Sequence, residues 1–456
     1  MKKYLLAGTS AFALALTAGA ANAQSAPGKF DVKISGDAYF EAGLVSKTLD
    51  KSLAGAGGET PTLNAGDFIN RFRLTVNPEA KADNGLVYGV NARLRANGSA
   101  GTIDGDRAYI YATAAFGTVQ AGVVNGPSDA TYVSHPQDWQ LLGNYDQWKY
   151  YVQTVTSAGL ASNANEVPNK NGSAAWAWGQ FGSGSATSPA AAASEGVQLL
   201  HSHDIDTKVV YYTPRFLGSS PTTGLQGAIS YAPHIGSGYD GGVSVNTGVT
   251  RSNFANAGIL DSSTVATAFQ QVTAFRDAYE LTANYTEKFG AWLVKGSIGY
   301  EGGKAMKVTA TDINNYNDLS SFQVGVLVGY NDFQVGGGFV DAFKSGYRKT
   351  DVTAGTTDYK ADQTSWNVGA QYTWGPAVFG VKYLAQRDAG DLKTPGDRTL
   401  DSVTAGTMYT VAPGLRTGLE YTYFQAKSDL ILDPVATGTA KKETGSIVLV
   451  RGVVSF

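Results

Sequence analysis

The chain is 456 residues long and carries 35 Lys and Arg against 38 Asp and Glu, for a formal charge of −3, with no cysteine. That balance gives no electrostatic footing for a nucleic-acid partner, and the missing thiols exclude disulfides and thiolate metal centres. Its 56 glycines, 25 tyrosines, 19 phenylalanines and 7 tryptophans, set against 3 methionines, favour strands and turns over helices.

The first residues, MKKYLLAGTSAFALALTAGAANA, place Lys2 and Lys3 before an apolar stretch too short to cross a bilayer as a helix, and end on Ala21-Asn22-Ala23. Residues 1–23 are therefore expected to be a secretory leader, cleaved before Gln24. Beyond it no window reaches the roughly 18 to 20 consecutive apolar residues of a transmembrane helix. With no linker, charge block or helical periodicity, residues 24–456 read as one β domain.

Strands are expected near 29–46, 67–79, 85–96, 105–115, 117–124, 206–216 and 224–232. The patterning sharpens further along. AYELTANYTEKF and GAWLVKGSIGY (278–300) alternate with Tyr279, Leu281, Tyr285, Trp292, Val294, Ile298 and Tyr300 on one face. SFQVGVLVGY (321–330) puts Phe322, Val324, Val326, Val328 and Tyr330 on one face, then turns at Asn331-Asp332 into FQVGGGFVDAF. TSWNVGAQYTW follows, closed by Gly375-Pro376, then AVFGVKYLAQ, SVTAGTMYTV, the turn Ala412-Pro413-Gly414, LRTGLEYTYFQ and the final run 443–456.

Short turns alternate with long polar connections. That alternation predicts an all-β, antiparallel, up-and-down transmembrane barrel of sixteen strands, with aromatic girdles such as Trp366 with Trp374 at its two rims. In hydrocarbon only a closed barrel satisfies the backbone of every strand. Sixteen strands enclose a lumen too wide for side chains to fill.

The leader, the alternation and the terminal run GSIVLVRGVVSF resemble the Gram-negative general diffusion porins, in the style of the alphaproteobacteria. Phe456, Val454, Val450 and Val448 match that family's last strand, and Gly452 departs from it. The resemblance covers essentially the whole mature chain. It implies an outer-membrane location, contact with membrane lipid and lipopolysaccharide, a homotrimer with one pore per subunit, and passive diffusion of small hydrophilic solutes and ions. It implies no enzymatic activity, no nucleic-acid partner and no cofactor, a divalent cation on a loop being left open. Small outward residues in the front strands (Ala38, Ala92, Ala96, Ala108, Ala112, Ala121) make that wall the expected subunit contact.

The same parity turns basic residues inward. Phe72, Leu74 and Val76 facing lipid place Arg71 and Arg73 on the lumen side, and Tyr88, Val90, Ala92 and Leu94 do the same for Arg93 and Arg95; Lys33 and Arg107 join them. Residues 125–205 show no sustained alternation and begin with Gly126-Pro127. They occupy the place of the family's third external loop, which folds into the barrel and narrows it. Asp129, Asp138 and Asp146 on this loop, opposite the arginines, would set a transverse field, with Trp139, Tyr145 and Trp148 packing the loop on the wall. Its low-complexity run GSGSATSPAAAASEG reads as an external cap.

Three alternatives compete. A substrate-specific channel for sugars or phosphate would need a lumenal aromatic track, for which Tyr39, Tyr109 and Tyr111 are the candidates. An outer-membrane hydrolase would need a histidine at the barrel wall, yet His135, His201, His203 and His234 all fall in expected loops. The cluster His201-Ser202-His203-Asp204 lacks further metal-ligand spacing and reads as a solvated loop end. A plugged, gated transporter is not expected, because no globular domain precedes the first strand.

Overall fold

The computed structural model describes residues 30–47, 66–97, 103–141, 199, 207–235, 275–305, 317–343, 345, 363–390, 395–428 and 442–456. Among these, sixteen strands run in chain order: β1 (Asp31–Lys47), β2 (Gly66–Lys81), β3 (Val87–Asn97), β4 (Ile103–Ala114), β5 (Gly117–Val123), β6 (Thr207–Tyr212), β7 (Gly224–Ile235) and β8 (Phe275–Phe289). There follow β9 (Trp292–Ala305), β10 (Leu319–Tyr330), β11 (Phe333–Phe343), β12 (Gln363–Trp374), β13 (Ala377–Gly390), β14 (Pro395–Ala412), β15 (Leu415–Ser428) and β16 (Lys442–Ser455). One short helix, α1 (Pro127–Thr131), follows β5.

Every strand pairs antiparallel with its neighbours in sequence, and β1 pairs with β16, so the sheet is a closed barrel. At the seam Ala38 lies opposite both Phe72 and Val454. Gly36 N donates to Phe456 O at 2.8 Å, and Phe456 N returns a bond to Gly36 O at 3.0 Å. Closure leaves no sheet edge whose N–H and C=O groups would face hydrocarbon.

Turn chemistry fixes one rim. Asn331 between β10 and β11 takes φ 50°, and Gly375 between β12 and β13 takes φ 55°. A positive φ at these turns is what lets two adjacent strands reverse without splaying. One turn at this rim is longer than its neighbours. β6 stops at Tyr212 instead of continuing to 216, because Pro214 offers no N–H to the ladder, and Phe216 only makes an isolated bridge to Leu225.

The period-2 pattern places apolar side chains on the outside. On β12, Trp366, Val368, Tyr372 and Trp374 are exposed while Ser365, Asn367, Gly369 and Gln371 between them are buried. Trp366 and Trp374 are eight residues apart, roughly 26 Å along a strand at about 3.3 Å per residue and less once the strand tilts. That suits an apolar band about 25 Å tall. Register carries one girdle from strand to strand through Trp292, Tyr330, Phe333, Tyr372 and Phe379.

The interior is not uniformly polar. Inward positions of β13 to β16 include Leu384, Leu400, Phe424, Ile447 and Leu449, all essentially fully buried. Alternation sorts residues by face, but an inward face that is packed, and not wet, also accepts leucine.

Candidate functional site

The inward face of β2 to β4 gathers the arginines. Register sets Arg73 opposite Arg95 and Arg93 opposite Arg107. Like charges directly opposed across strands are destabilising, so this concentration runs against the local rules of sheet building. The five are not equivalent. Arg71 is 7% exposed, donates through Nη2 to Asp37 Oδ2 at 2.8 Å and lies 5.0 Å from the centre of the Tyr39 ring. Arg107 is also buried, whereas Arg73, Arg93 and Arg95 are half-buried.

Lys33 sits further toward the short-turn rim. Its Nζ bonds Glu79 Oε1 at 2.8 Å, and Tyr111 hydroxyl donates to the other oxygen of Glu79 at 2.7 Å. The lysine is thus held at the mouth and does not converge with the arginines. The aromatic track needed for a sugar channel is correspondingly poor: Tyr39 is buried beneath Arg71, and the Tyr111 hydroxyl is committed to Glu79 and Asn77.

The opposite wall receives the segment after β5. Residues 125–141 run along inward-facing side chains of successive strands, so they lie inside the barrel. Ser128 N donates to Glu280 Oε2 of β8 at 3.1 Å, and Val133 N to Ser297 Oγ of β9 at 2.7 Å. Ser134 Oγ donates to Asn367 Oδ1 of β12 at 2.8 Å. Asp138 and Gln371 bond reciprocally, Asp138 N to Gln371 Oε1 at 3.1 Å and Gln371 Nε2 to Asp138 Oδ2 at 2.7 Å. Leu141, the last described residue of this run, packs with Tyr39, Val453 and Ile69 at the border of the arginine wall. Farther along, Leu199 N donates to Gln323 Oε1 of β10 at 3.0 Å. The peptide groups of an irregular segment need partners when removed from bulk water, and the serine, asparagine and glutamine side chains of the wall supply them.

Trp139 is the largest buried side chain of this segment, 1% exposed, with its indole Nε1 bonded to Pro136 O at 3.0 Å. It packs as expected. Asp129 is half-buried and accepts a hydrogen bond from Asn125, while Asp138 is exposed beside its bond to Gln371. Asp146, Tyr145 and Trp148 lie outside the described residues, as do His201, His203, Asp204 and the leader 1–23. His234 was expected in a loop and instead falls in β7, which continues to Ile235. His135 is buried with both ring nitrogens engaged, Nδ1 with Ser134 Oγ at 3.1 Å and Nε2 with Gln140 Oε1 at 2.8 Å.

A second charged group lies at the seam, where sequence reading singled out nothing. Arg451 of β16 sits between Glu41 of β1 and Glu420 of β15, at 2.8 and 3.3 Å, all three buried. Inward parity of these positions was available from the alternation; their mutual approach depends on β1 meeting β16, which only closure provides.

A closed sixteen-stranded barrel with an apolar outer band, a charged inner wall and a segment folded against the opposite side has the form of a membrane-spanning channel. The Gram-negative porin family matches residues 10–429 of this chain, and the chain belongs to that family. Among relatives, the chain is 24% identical over an alignment of 271 positions to an uncharacterized protein of Rickettsia bellii (strain RML369-C), a match that covers 55% of this chain and 56% of that protein. Among solved structures the chain is similar to the anion-selective porin from Comamonas acidovorans, at 13% identity over 94% of this chain and 100% of that one, with a TM-score of 0.48. It is also similar to a mutant of the Rh. blastica porin, at 15% identity over 93% of this chain and 100% of that one, with a TM-score of 0.46.

Proposed function

We propose that this porin is a general diffusion channel whose constriction is the gap between the arginine wall of β2 to β4 and the segment 125–141. The observation that carries this reading is the clustering of Arg73, Arg93, Arg95 and Arg107 in cross-strand register on one side, with Asp138 held on the other by Gln371. A fixed field across a narrow aqueous gap passes ions and small polar solutes that reorient easily. It disfavours apolar solutes, which must displace ordered water without replacing its hydrogen bonds. Two unit charges about 8 Å apart at an effective dielectric near 20 interact by roughly 2 kcal/mol, enough to bias passage without binding tightly.

The chain works as a conduit and not as an enzyme, a reading supported by His135, whose ring nitrogens are both spent on Ser134 and Gln140. It is expected to reach the outer membrane through the leader 1–23, to rest against lipid and lipopolysaccharide, and to assemble as a homotrimer through β1 to β5. The outer face of those strands supports that contact. It carries Ala38, Ala92, Ala96, Ala108, Ala112 and Ala121, and its large exposed groups are aliphatic or phenylalanine: Val32, Ile34, Phe40, Leu44, Phe68, Phe72, Val90, Leu94 and Ile110. The amphipathic Trp and Tyr that seek a lipid interface are concentrated on β8 to β15 instead.

The test is the reversal potential of purified protein in planar bilayers under a salt gradient. The double variant Arg93→Gln with Arg95→Gln is expected to shift permeability several-fold toward cations. An unchanged reversal potential removes these arginines from the conduction path.

A further inference from the structure

The inward face under residues 133–139 carries a glycine on each of β10 to β14. A Cβ on Gly325 of β10 would collide with the Val133 carbonyl oxygen. One on Gly336 of β11 would stand 2.8 Å from Ser134 O, and one on Gly369 of β12 would stand 3.0 Å from His135 Cβ. On β13 a Cβ at Gly380 would overlap the Trp139 indole, and on β14 one at Gly406 would lie 3.1 Å from the same ring. Gly336 lies directly opposite Gly369, and Gly380 directly opposite Gly406, so the positions join into one shallow groove.

None of these five glycines has a positive φ, but a Cβ on Gly336, Gly369 or Gly406 would also stand 2.7 to 2.8 Å from a neighbouring strand's carbonyl oxygen, so only at Gly325 and Gly380 is the segment the obstacle met first. An ordinary strand residue fits the conformation, and glycine in a strand interior weakens the strand. At Gly380, where the three nearest atoms all belong to the Trp139 indole, what the missing side chain provides is room for the segment. Trp139 fills this part of the groove, its ring over Gly380 and Gly406 and its Nε1 tied to Pro136 O.

We infer that Trp139, seated on Gly380 and Gly406, is the positioning residue that fixes how far the segment 125–141 stands from the arginine wall, and so sets the size limit of the channel. This rests on the reading that the gap between them conducts. A methyl group at Gly380 has nowhere to go except against the indole. Restoring carbon–carbon contact of about 3.5 to 4.0 Å moves the ring, and the segment with it, on the order of 1 to 2 Å toward the lumen. The arginines stay where they are, so the gap narrows while its charge is unchanged.

The experiment uses the full-length protein in planar bilayers, with single-channel conductance and the largest polyethylene glycol admitted as readouts. Gly380→Ala is expected to lower conductance by roughly a fifth to a half and to reduce the admitted size, as pore diameter dictates, with the reversal potential unmoved. Adding Trp139→Ala in the same chain is expected to restore both. Wild-type conductance in folded Gly380→Ala, or a double variant as narrow as the single one, overturns the assignment. Should Gly380→Ala fail to form a barrel, Trp139→Ala alone decides: a wider, noisier channel supports the latch, and wild-type conductance and noise overturn it. Because the Arg93 and Arg95 pair is read by selectivity and this groove by size, failure of the charge reading and failure of the latch give different results.

Discussion

The front wall, β1 to β5, and the back wall, β8 to β15, obey the same period-2 alternation and differ in what each face meets. Inward, the back wall presents serine, asparagine, glutamine and glycine to its own chain, and Ser297, Asn367 and Gln371 are spent on residues 133–138. Inward, the front wall presents arginines that oppose one another across strands. Outward, the back wall carries paired aromatics such as Trp292 with Tyr330 at 4.8 Å and Trp366 with Tyr383 at 5.1 Å, while the front carries alanine, larger aliphatics and phenylalanine. On the proposed reading one sheet thus provides two surfaces of opposite use: a back that faces lipid and holds the segment 125–141, and a front that lines the lumen with charge and meets a second subunit outside.

The largest expected effect lies where the two walls are joined. Replacing Arg451 by methionine leaves Glu41 and Glu420 buried without their shared cation, and breaking a buried ion pair in this way costs about 3 to 5 kcal/mol. Heat-dependent gel mobility, which separates folded barrel from unfolded chain, should show the variant unfolding well below wild type. Equal stability would mean that the triad contributes nothing to holding the seam.

Next come charges placed on the two outer faces. Ala370 on β12 lies between Trp366 and Trp374, so Ala370→Arg puts a cation near the middle of the apolar band, at about 2 to 4 kcal/mol. Ala108→Arg makes the corresponding change on β4. The proposed subunit contact predicts different symptoms: reduced barrel stability with the oligomer intact for Ala370→Arg, and loss of oligomer in detergent for Ala108→Arg. Identical behaviour would dissolve the distinction between the walls.

The barrel was legible because sixteen strands repeat one rule and turn residues such as Asn331-Asp332 and Gly375-Pro376 mark its breaks. The exceptions came from single residues acting over distance. Pro214 ends β6 early, and Arg71 is withdrawn from the lumen by Asp37 and Tyr39 on the neighbouring strand. The path of residues 125–141 was legible only as an inward segment anchored by Trp139. Its bonds to Ser297, Asn367 and Gln371 span more than a hundred residues of sequence, and its glycine floor reads, strand by strand, as mere weakness of β propensity. Buried Leu384, Leu400 and Phe424 on the inward side were hidden because alternation reports a face and not what fills the space beyond it.

The contrast within the arginine wall sharpens its role. Arg71→Gln removes a buried, ion-paired cation and is expected to lower stability while moving the reversal potential less than the Arg93 and Arg95 double variant does. A selectivity change as large as that of the double variant would place Arg71 in the conduction path despite its burial.

The smallest effect is the most discriminating for the back wall. Asp138 keeps one carboxylate oxygen on Gln371 and remains exposed, so it is both a tether and the most exposed of that segment's described charges. Asp138→Asn preserves the backbone bond from Asp138 N to Gln371 and can still hydrogen-bond through its amide, so position is retained while charge is lost. Neutralising a carboxylate opposite a cationic wall leaves the gap more positive, and the permeability ratio should move toward anions. Water and salt screen an exposed group, so the change is expected to be roughly twofold at low ionic strength and to vanish in concentrated salt. A shift of that sign that disappears with salt makes Asp138 the counter-charge of the field. No shift in dilute salt makes it a tether alone, and the transverse field must then arise from the front wall by itself.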